Sequence, residues 1–180
     1  MELWDLYDCN MNPTGEIAVR GSKIPAGRYH LVAHVCIFNS EGQMLIQHRL
    51  PNKIGWPDRW DLTVVGSAVS GDTIQKAAER EVSEEIGYEL DLNDIPLAMT
   101  LTYTDSFSCY YLVEREIDLN SLTLQPTEVD AVKWATLDDI HTMIDQESFI
   151  PYPHALIDLI FQRRKFLFPH LMTELQEYEK

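Results

Sequence analysis

The chain has 180 residues, of which 45% are hydrophobic, enough for one domain with a sizeable core. Twenty-nine acidic residues against fourteen basic ones give a formal net charge of −15. This charge argues against a binder of nucleic-acid polymers or of anionic membranes, because both need a cationic surface. The three cysteines are widely spaced and form no zinc motif. No apolar run approaches the roughly 20 residues that span a bilayer. We therefore expect one soluble, cytoplasmic domain over residues 1–180.

Alternating or continuously apolar segments bounded by turn signals predict eight strands. Strands are expected at 3–8, 17–19, 29–38, 43–48, 61–65, 98–103, 108–113 and 131–135. The first two form an N-terminal hairpin within residues 1–28, and a Gly/Ser loop is expected at 66–71. Helices are expected at 73–86, 137–144 and 154–166, the last within a C-terminal helical segment, 154–180, that Pro169 interrupts. The mixture predicts a single α/β domain.

The helix expected at 73–86 has an unusual distribution of acids. Asp72 is its expected N-cap and Gly87 its C-terminal stop. At about 100° per residue, Glu81 and Glu85 lie within about 20° of Ile74, inside the apolar sector, and Glu84 lies on the same side.

Buried ionised carboxylates need compensation, because each costs several kcal/mol. A divalent cation bound by hard oxygen ligands is the simplest source of it, and Mg²⁺ or Mn²⁺ fits such ligands. The alternative is a helix whose second half leaves the core, so that these are ordinary surface acids.

Residues 66–88 carry a spaced motif in this region. Gly66 is followed by Asp72, then by Arg80-Glu81 and Glu84-Glu85, and finally by Gly87-Tyr88. The pattern resembles the Nudix box, G-x5-E-x7-R-E-U-x-E-E-x-G-U. The flanking segments 29–49, 55–60 and 128–140 resemble the branch that contains isopentenyl-diphosphate isomerase.

The resemblance implies an α/β/α sandwich on a mixed sheet and Mg²⁺-dependent hydrolysis of a nucleoside diphosphate derivative. By position, Glu84 and Glu85 become metal ligands. Glu81 becomes a ligand or the base that activates water, and Arg80 orients these carboxylates. A backbone carbonyl beside Gly66 completes such sites in the family.

Two departures from the family pattern affect the expected chemistry. Asp72 stands where the box has Glu, and being one methylene shorter it has an uncertain reach to Arg80. This substitution motivates the alternative of a nucleotide-binding regulatory module with weak catalysis. The isomerases have a catalytic Cys before the box glycine and a metal-binding His after it, whereas this chain has Val65 and Ser67. Hydrolysis is therefore favoured over isomerisation.

Other residues are candidates that ordinary packing or solvation also explains. Arg49 and Lys53 are expected to bind the phosphates of the substrate. A downstream acid is expected to assist catalysis, and Glu128 is preferred to Glu114 and Glu116. His30, His34, Trp56 and Trp60 are as well explained by packing as by substrate contact. The apolar stretch 155–168 covers either the sheet or the interface of a homodimer. The expected partner is a small-molecule diphosphate substrate.

Overall fold

The computed structural model describes residues 2–167. The strands in this range are β1 (Leu3–Tyr7), β2 (Pro13–Val19), β3 (His30–Phe38), β4 (Met44–Arg49), β5 (Trp60–Asp61), β6 (Val64–Ser67), β7 (Met99–Thr102), β8 (Ser106–Glu114) and β9 (Val129–Ala135). The α-helices are α1 (Ile74–Ile86), α2 (Leu137–Asp145) and α3 (His154–Leu167). The expected break at Pro169 and the rest of the segment to residue 180 lie outside the described range.

The main sheet is mixed and is organised around β3, whose residues are almost all buried. β3 pairs with β8 in parallel along its whole length. It pairs with β4 only at Phe38↔Met44, after which β6 takes the place of β4 beside Val32–Val35. β4 instead pairs with β9 and β5. The sheet therefore divides where β4 leaves β3.

Helices cover both faces of this sheet. Alternate β3 side chains such as Ala33 and Val35 pack against α1. The side chains between them, including Cys36 and Phe38, pack against α2 and α3 on the other face. Full burial of one aliphatic or aromatic side chain contributes about 1.5–3 kcal/mol, so the two layers supply most of the stability. The predicted α/β/α arrangement on a mixed sheet is confirmed. α3 covers the sheet, which was one of the two interpretations of the apolar stretch at 155–168.

The N-terminal hairpin is also confirmed. β1 and β2 pair antiparallel as a separate two-stranded sheet. Reciprocal backbone hydrogen bonds of 2.8 and 3.0 Å between Tyr7 and Tyr29 join the hairpin to the main body. No helix in residues 2–167 is long and apolar enough to cross a membrane.

The prediction of one strand at 61–65 followed by a loop at 66–71 is wrong. Two short strands, β5 and β6, replace the single strand, and Gly66 lies within β6. The hydroxyl of buried Thr63, between them, accepts a hydrogen bond from the backbone N–H of Ile37 at 2.9 Å and donates one to the carbonyl of Leu45. Thr63 thus satisfies backbone groups of β3 and β4 where the two strands separate, and the chain changes its pairing partner there.

The N-cap of α1 also differs from the prediction. Thr73 caps the helix, and its hydroxyl accepts from the backbone N–H of Lys76 at 3.2 Å. Asp72 is left free for a different contact, described below. The end of the helix is as expected, because Gly87 adopts a left-handed conformation with φ of 65° and its N–H donates to the carbonyl of Ser83.

Gly87→Ala is expected to lower the free energy of unfolding by about 1–2 kcal/mol. Alanine disfavours the positive φ, and its Cβ would lie 2.8 Å from the carbonyl oxygen of Thr123. Gly15→Ala is the matched control, since Gly15 has φ of 77° and open space around the added Cβ. Urea denaturation of both variants measures the difference, and equal losses would contradict a role for the Thr123 contact.

Candidate active site

Two acids of α1, Glu81 and Glu85, lie on the side that faces the core, as helical periodicity predicted. Glu85 is only 6% exposed and shares the buried face of the helix with Ala78 and Val82. The side chain of Glu81 is 16% exposed, whereas that of Glu84 is 51% exposed. The alternative of ordinary surface acids therefore applies to Glu84 but not to the other two.

Glu81 occupies the space that a side chain at position 66 would need. A Cβ built on Gly66 would lie 2.1 Å from Cδ of Glu81 and 2.3 Å from its Cγ. Real Cβ atoms do not approach other atoms so closely, so only glycine permits this packing. The packing of Glu81, fifteen residues further along the motif, thus explains why position 66 is glycine.

Arg80 connects several groups of the motif. Its Nη1 donates to Oε1 of Glu81 at 2.9 Å and to Oε2 of Glu84 at 3.2 Å. Its Nη2 donates to the carbonyl oxygen of Ser67, and its Nε lies 3.3 Å from Oδ2 of Asp72. Asp72 therefore does reach Arg80 despite its shorter side chain, and the observation that motivated a non-catalytic module is weakened.

Glu85 has little to stabilise its negative charge. Burial is the main cause that raises its pKa to about 8, and the charges of Glu81, Asp61 and Glu128 raise it further. Nε2 of Gln47 on β4 donates to Oε2 of Glu85 at 2.8 Å, which opposes the rise only in part. Burial also raises the pKa of Glu81, against the opposing effect of Arg80. We call Glu81, Glu85, Asp61 and Glu128 the acidic cluster.

Arg49 and Lys53 each contact a member of this cluster. Lys53 forms an ion pair with Glu128. Nη1 of Arg49 lies 3.6 Å from Oδ2 of Asp61, and its Nη2 donates to the carbonyl of Gly55 at 3.3 Å. Both basic side chains that were expected to bind phosphate therefore lie near the cluster, and each pairs with one of its carboxylates.

The cluster suits a hard divalent cation, since its donor atoms are all oxygens and burial raises the pKa values of three of its carboxylates, those of Asp61, Glu81 and Glu85. Within residues 2–167, however, no three metal-binding side chains already converge closely enough to hold an ion. Arg80 engages Glu81 and Glu84, while Gln47 engages Glu85. A cation would therefore have to displace Arg80 from half-exposed Glu84 and draw the carboxylates together.

Comparisons with known proteins identify the family of this chain. The model of the NUDIX domain matches residues 28–154. The chain belongs to the Nudix family. It is 43% identical to a Nudix hydrolase of Listeria monocytogenes over 84% of this chain and 90% of the relative. The crystal structure of DR0079 from Deinococcus radiodurans shares its fold, with a TM-score of 0.70 and 22% identity over 89% of this chain and 98% of that one. The predicted Nudix pyrophosphohydrolase is thus confirmed.

An isomerase relative also matches, at lower identity. The isopentenyl-diphosphate isomerase of an Enterobacter strain is 28% identical over 72% of this chain and 76% of the relative. This match confirms the resemblance to that branch. At the two isomerase positions, Val65 packs against the apolar cluster on the α2/α3 face, and the carbonyl of Ser67 holds Arg80.

Three residues around the Nudix helix α1 were not predicted from the sequence. Gln47 and Asp61 are almost fully buried, and Cα register places them opposite each other on β4 and β5. Oδ1 of Asp61 accepts from the hydroxyl of Tyr152 at 2.9 Å. Neither stands out in the sequence, because two further polar residues follow Gln47 in β4 and Asp61 ends the two-residue strand β5.

Asp5 on the hairpin is the third of these residues. Its carboxylate accepts hydrogen bonds from the hydroxyl of Ser70 at 2.6 Å and the N–H of Gly71 at 2.8 Å. The N–H of Ser70 also donates to the carbonyl of Leu3 at 2.7 Å. The hairpin, which lies outside the residues matched by the family model, thus holds the loop that leads into the Nudix helix.

The remaining candidates are explained largely by packing. His34 is buried and stacks on Tyr110, with ring centroids 4.3 Å apart, and His30 stacks on Trp4. Trp60 packs between His48 and Lys133, while Trp56 is 52% exposed. Among the downstream acids, Glu128 adjoins Glu85, whereas Glu116 accepts from the backbone N–H of Ser40 and Glu114 ends β8 opposite Phe38.

Gly66→Ala is expected to lower the free energy of unfolding by about 1–3 kcal/mol, because the new methyl group overlaps Glu81. The loss should be much smaller in the background of Glu81→Ala, where the overlapping atoms are absent. Urea denaturation of the wild type, both single variants and the double variant gives the coupling energy. A coupling near zero would show that Glu81 is not what requires glycine at position 66.

Glu85→Gln is expected to change the pH dependence of stability in protein freed of metal with EDTA. The unfolded chain loses the Glu85 proton near its usual pKa of 4.5, whereas the folded protein keeps it to about pH 8. The wild type therefore loses stability relative to the variant as the pH rises through this window. Thermal unfolding at pH 5 and pH 8 measures this, with exposed Glu89→Gln as the matched control. A difference in Tm that is the same at both pH values would contradict it.

Proposed function

We propose that this Nudix protein hydrolyses a diphosphate linkage in a small nucleoside diphosphate derivative, with Mg²⁺, or alternatively Mn²⁺, as cofactor. The observation that carries the proposal is the acidic cluster. Burial raises the pKa values of Glu85 and Glu81, and the charges of two further acids, Asp61 and Glu128, raise that of Glu85 further. An enzyme gains from keeping such carboxylates only if an ion or substrate compensates them.

Glu81, Glu84 and Glu85 would hold the cation, and the backbone carbonyl beside Gly66 would add a further oxygen. A divalent cation bound there neutralises phosphoryl oxygens and lowers the pKa of coordinated water. Glu81 serves as a ligand or as the base that accepts a proton from the attacking water. The carboxylate of Glu84 is half-exposed, so it could turn towards the ion on release of its contact with Arg80.

Arg80 orients the carboxylates and, once released from Glu84, keeps its contacts with Asp72 and with the carbonyl of Ser67. Arg49 and Lys53 would bind the phosphates of the substrate. To do so, they would replace their contacts with Asp61 and Glu128 by contacts with phosphate oxygens. That exchange would free Glu128 to act on water or on the cation. In the overall step, water adds to one phosphorus, the bond to the bridging oxygen breaks, and the proton of water leaves through a carboxylate.

The experiment is a substrate panel with the purified full chain and Mg²⁺, containing nucleoside diphosphate sugars, dinucleotides and nucleoside triphosphates. Product release should require the cation. Glu85→Gln and Glu81→Gln should each lower kcat/KM by about 100-fold or more, because each removes a charge that holds the ion. Glu89→Gln, which changes an exposed acid just beyond α1, is the matched control and should have wild-type activity. Turnover that persists in Glu85→Gln, or that needs no divalent cation, would refute the proposal.

Two alternatives are outcomes of the same experiment. Nucleotide binding without turnover in a folded wild type would indicate a regulatory module. Conversion of isopentenyl diphosphate to its isomer would indicate the isomerase reaction, despite Val65 and Ser67 at the two positions that it uses. The cytoplasmic location and the homodimer stay predictions.

A further inference from the structure

The side chain of Gln47 lies on the face of the sheet that α1 covers. Leu45, two residues earlier in β4, packs in the apolar cluster that includes Ala78 of the helix. Because side chains alternate along a strand, Gln47 and Arg49 point to the same face as Leu45. Gln47 is only 1% exposed. It therefore lies between the apolar core and a basic residue that is expected to bind phosphate.

The two polar atoms of the Gln47 amide have different surroundings. Nε2 donates to Oε2 of Glu85 at 2.8 Å. Oε1, by contrast, is shielded from solvent and has no hydrogen-bond partner within residues 2–167. Turning the amide over would bring its oxygen against an oxygen of Glu85, which only a protonated carboxyl could tolerate. The hydrogen bond to Glu85 thus fixes Oε1 as the unpaired atom.

An unpaired carbonyl oxygen in a protein interior costs stability, and such groups are rare. The oxygen and nitrogen of an amide are about 2.2 Å apart, so Oε1 of Gln47 lies within about 5 Å of Oε2 of Glu85. Oxygens that bind one Mg²⁺ at about 2.1 Å lie about 3–4 Å from each other. A relative shift of at most about 2 Å would therefore let both side chains bind one ion.

The charges around Gln47 favour a neutral oxygen at this position. Glu85 already experiences the negative charges of Glu81 and Asp61, which oppose its own ionisation. A further carboxylate would add to this repulsion in metal-free protein. An amide oxygen can bind a hard cation such as Mg²⁺ or Mn²⁺ without adding charge.

We propose that Gln47 supplies a neutral oxygen ligand to the cation site, while its N–H holds Glu85 in position for the same ion. Gln47 lies outside the motif at residues 66–88, so the site would be shared between the Nudix helix and β4. The inference rests on the proposed function for the presence of the cation. Its readout is the binding of metal, which can be measured without turnover.

The test is calorimetric titration of the full chain, stripped with EDTA and dialysed, with Mg²⁺ and with Mn²⁺. Gln47→Met keeps the length of the side chain but replaces the hard oxygen by a thioether, a poor ligand for these ions. It should weaken Mg²⁺ binding by about tenfold or more. Gln43→Met is the matched control, because the amide of Gln43 contacts Asn39 at the start of the same hairpin. This control should bind Mg²⁺ as the wild type does.

Thermal unfolding distinguishes a ligand from a residue with a purely structural role. In EDTA, Gln47→Met should change the Tm little, because it loses one hydrogen bond but also removes an unpaired oxygen. The rise in Tm that Mg²⁺ causes in the wild type should become smaller in this variant. A purely structural residue would lower the Tm equally with and without Mg²⁺, and that result would contradict the inference.

Gln47→Glu gives a second measurement if Gln47→Met does not fold. It keeps an oxygen ligand but adds a fifth carboxylate to the acidic cluster. Its Tm in EDTA should be lower than that of the wild type, and Mg²⁺ should raise it by more. The inference is overturned if Gln47→Met binds Mg²⁺ as Gln43→Met does, or if Mg²⁺ stabilises Gln47→Glu no more than the wild type.

Glu85→Gln separates this inference from the proposed function. Binding of Mg²⁺ that Glu85→Gln abolishes and Gln47→Met leaves unchanged would overturn the inference alone. A wild type that binds Mg²⁺ through Gln47 but hydrolyses no compound of the panel would refute the proposed function alone. A wild type that binds neither Mg²⁺ nor Mn²⁺ would overturn both.

Discussion

An ionised carboxylate without a counter-charge is unfavourable in a protein interior, and the Nudix helix places a carboxylate there. Glu85 lies on the same face of α1 as Val82 and Ile86, under a sheet whose side chains are apolar. Its partner is the neutral amide of Gln47, and three other acids adjoin it. Metal-free protein therefore favours the protonated form of Glu85, and a cation at this place would favour the ionised form. The chemistry proposed for the helix follows from that imbalance.

The separation of β4 from β3 shapes the proposed metal site. On the α1 face, the strand that leaves carries Gln47 to Glu85, and β6 brings Gly66 against Glu81. On the other face, Val32 and His34 of β3 line a cavity of about 550 Å³. Thr63 makes the division possible, because its hydroxyl satisfies backbone groups of both strands at the point where they part. Thr63, which is not part of the acidic cluster, thus helps to position the strand that carries Gln47.

The N-terminal hairpin extends the site beyond the region that the family model matches. Through Asp5 and the carbonyl of Leu3 it holds the loop between β6 and α1, and Asp72 at the end of that loop reaches Arg80. The guanidinium of Arg80 then spans Glu81 and Glu84. The loop is consequently held from two directions, by the hairpin on one side and by the arginine of the motif on the other.

The sequence by itself determined the features that depend on local order along the chain. Helical periodicity turned Glu81 and Glu85 towards the core, glycine at position 87 ended the helix, and the spacing of the motif identified the family. The alternation of apolar and polar residues predicted most strands of the sheet to within two or three residues of their observed ends. These features follow from 3.6- and 2-residue periods and from the conformational freedom of glycine, all of which are written in neighbouring residues.

Only the tertiary structure decided the features that depend on which distant groups meet. The sequence predicted Asp72 as the N-cap of α1, but Thr73 caps the helix. Both residue types cap helices, and the contact with Arg80 engages the side chain of Asp72 instead. The two short strands in place of one, the pairing of Gln47 with Glu85, and the association of Asp61 with Tyr152 likewise join segments far apart in sequence. Burial and partners set the pKa of Glu85 and, among residues 2–167, leave the ring nitrogens of His34 without hydrogen-bond partners. Neither quantity is a property of local sequence, because both depend on what the fold brings around the side chain.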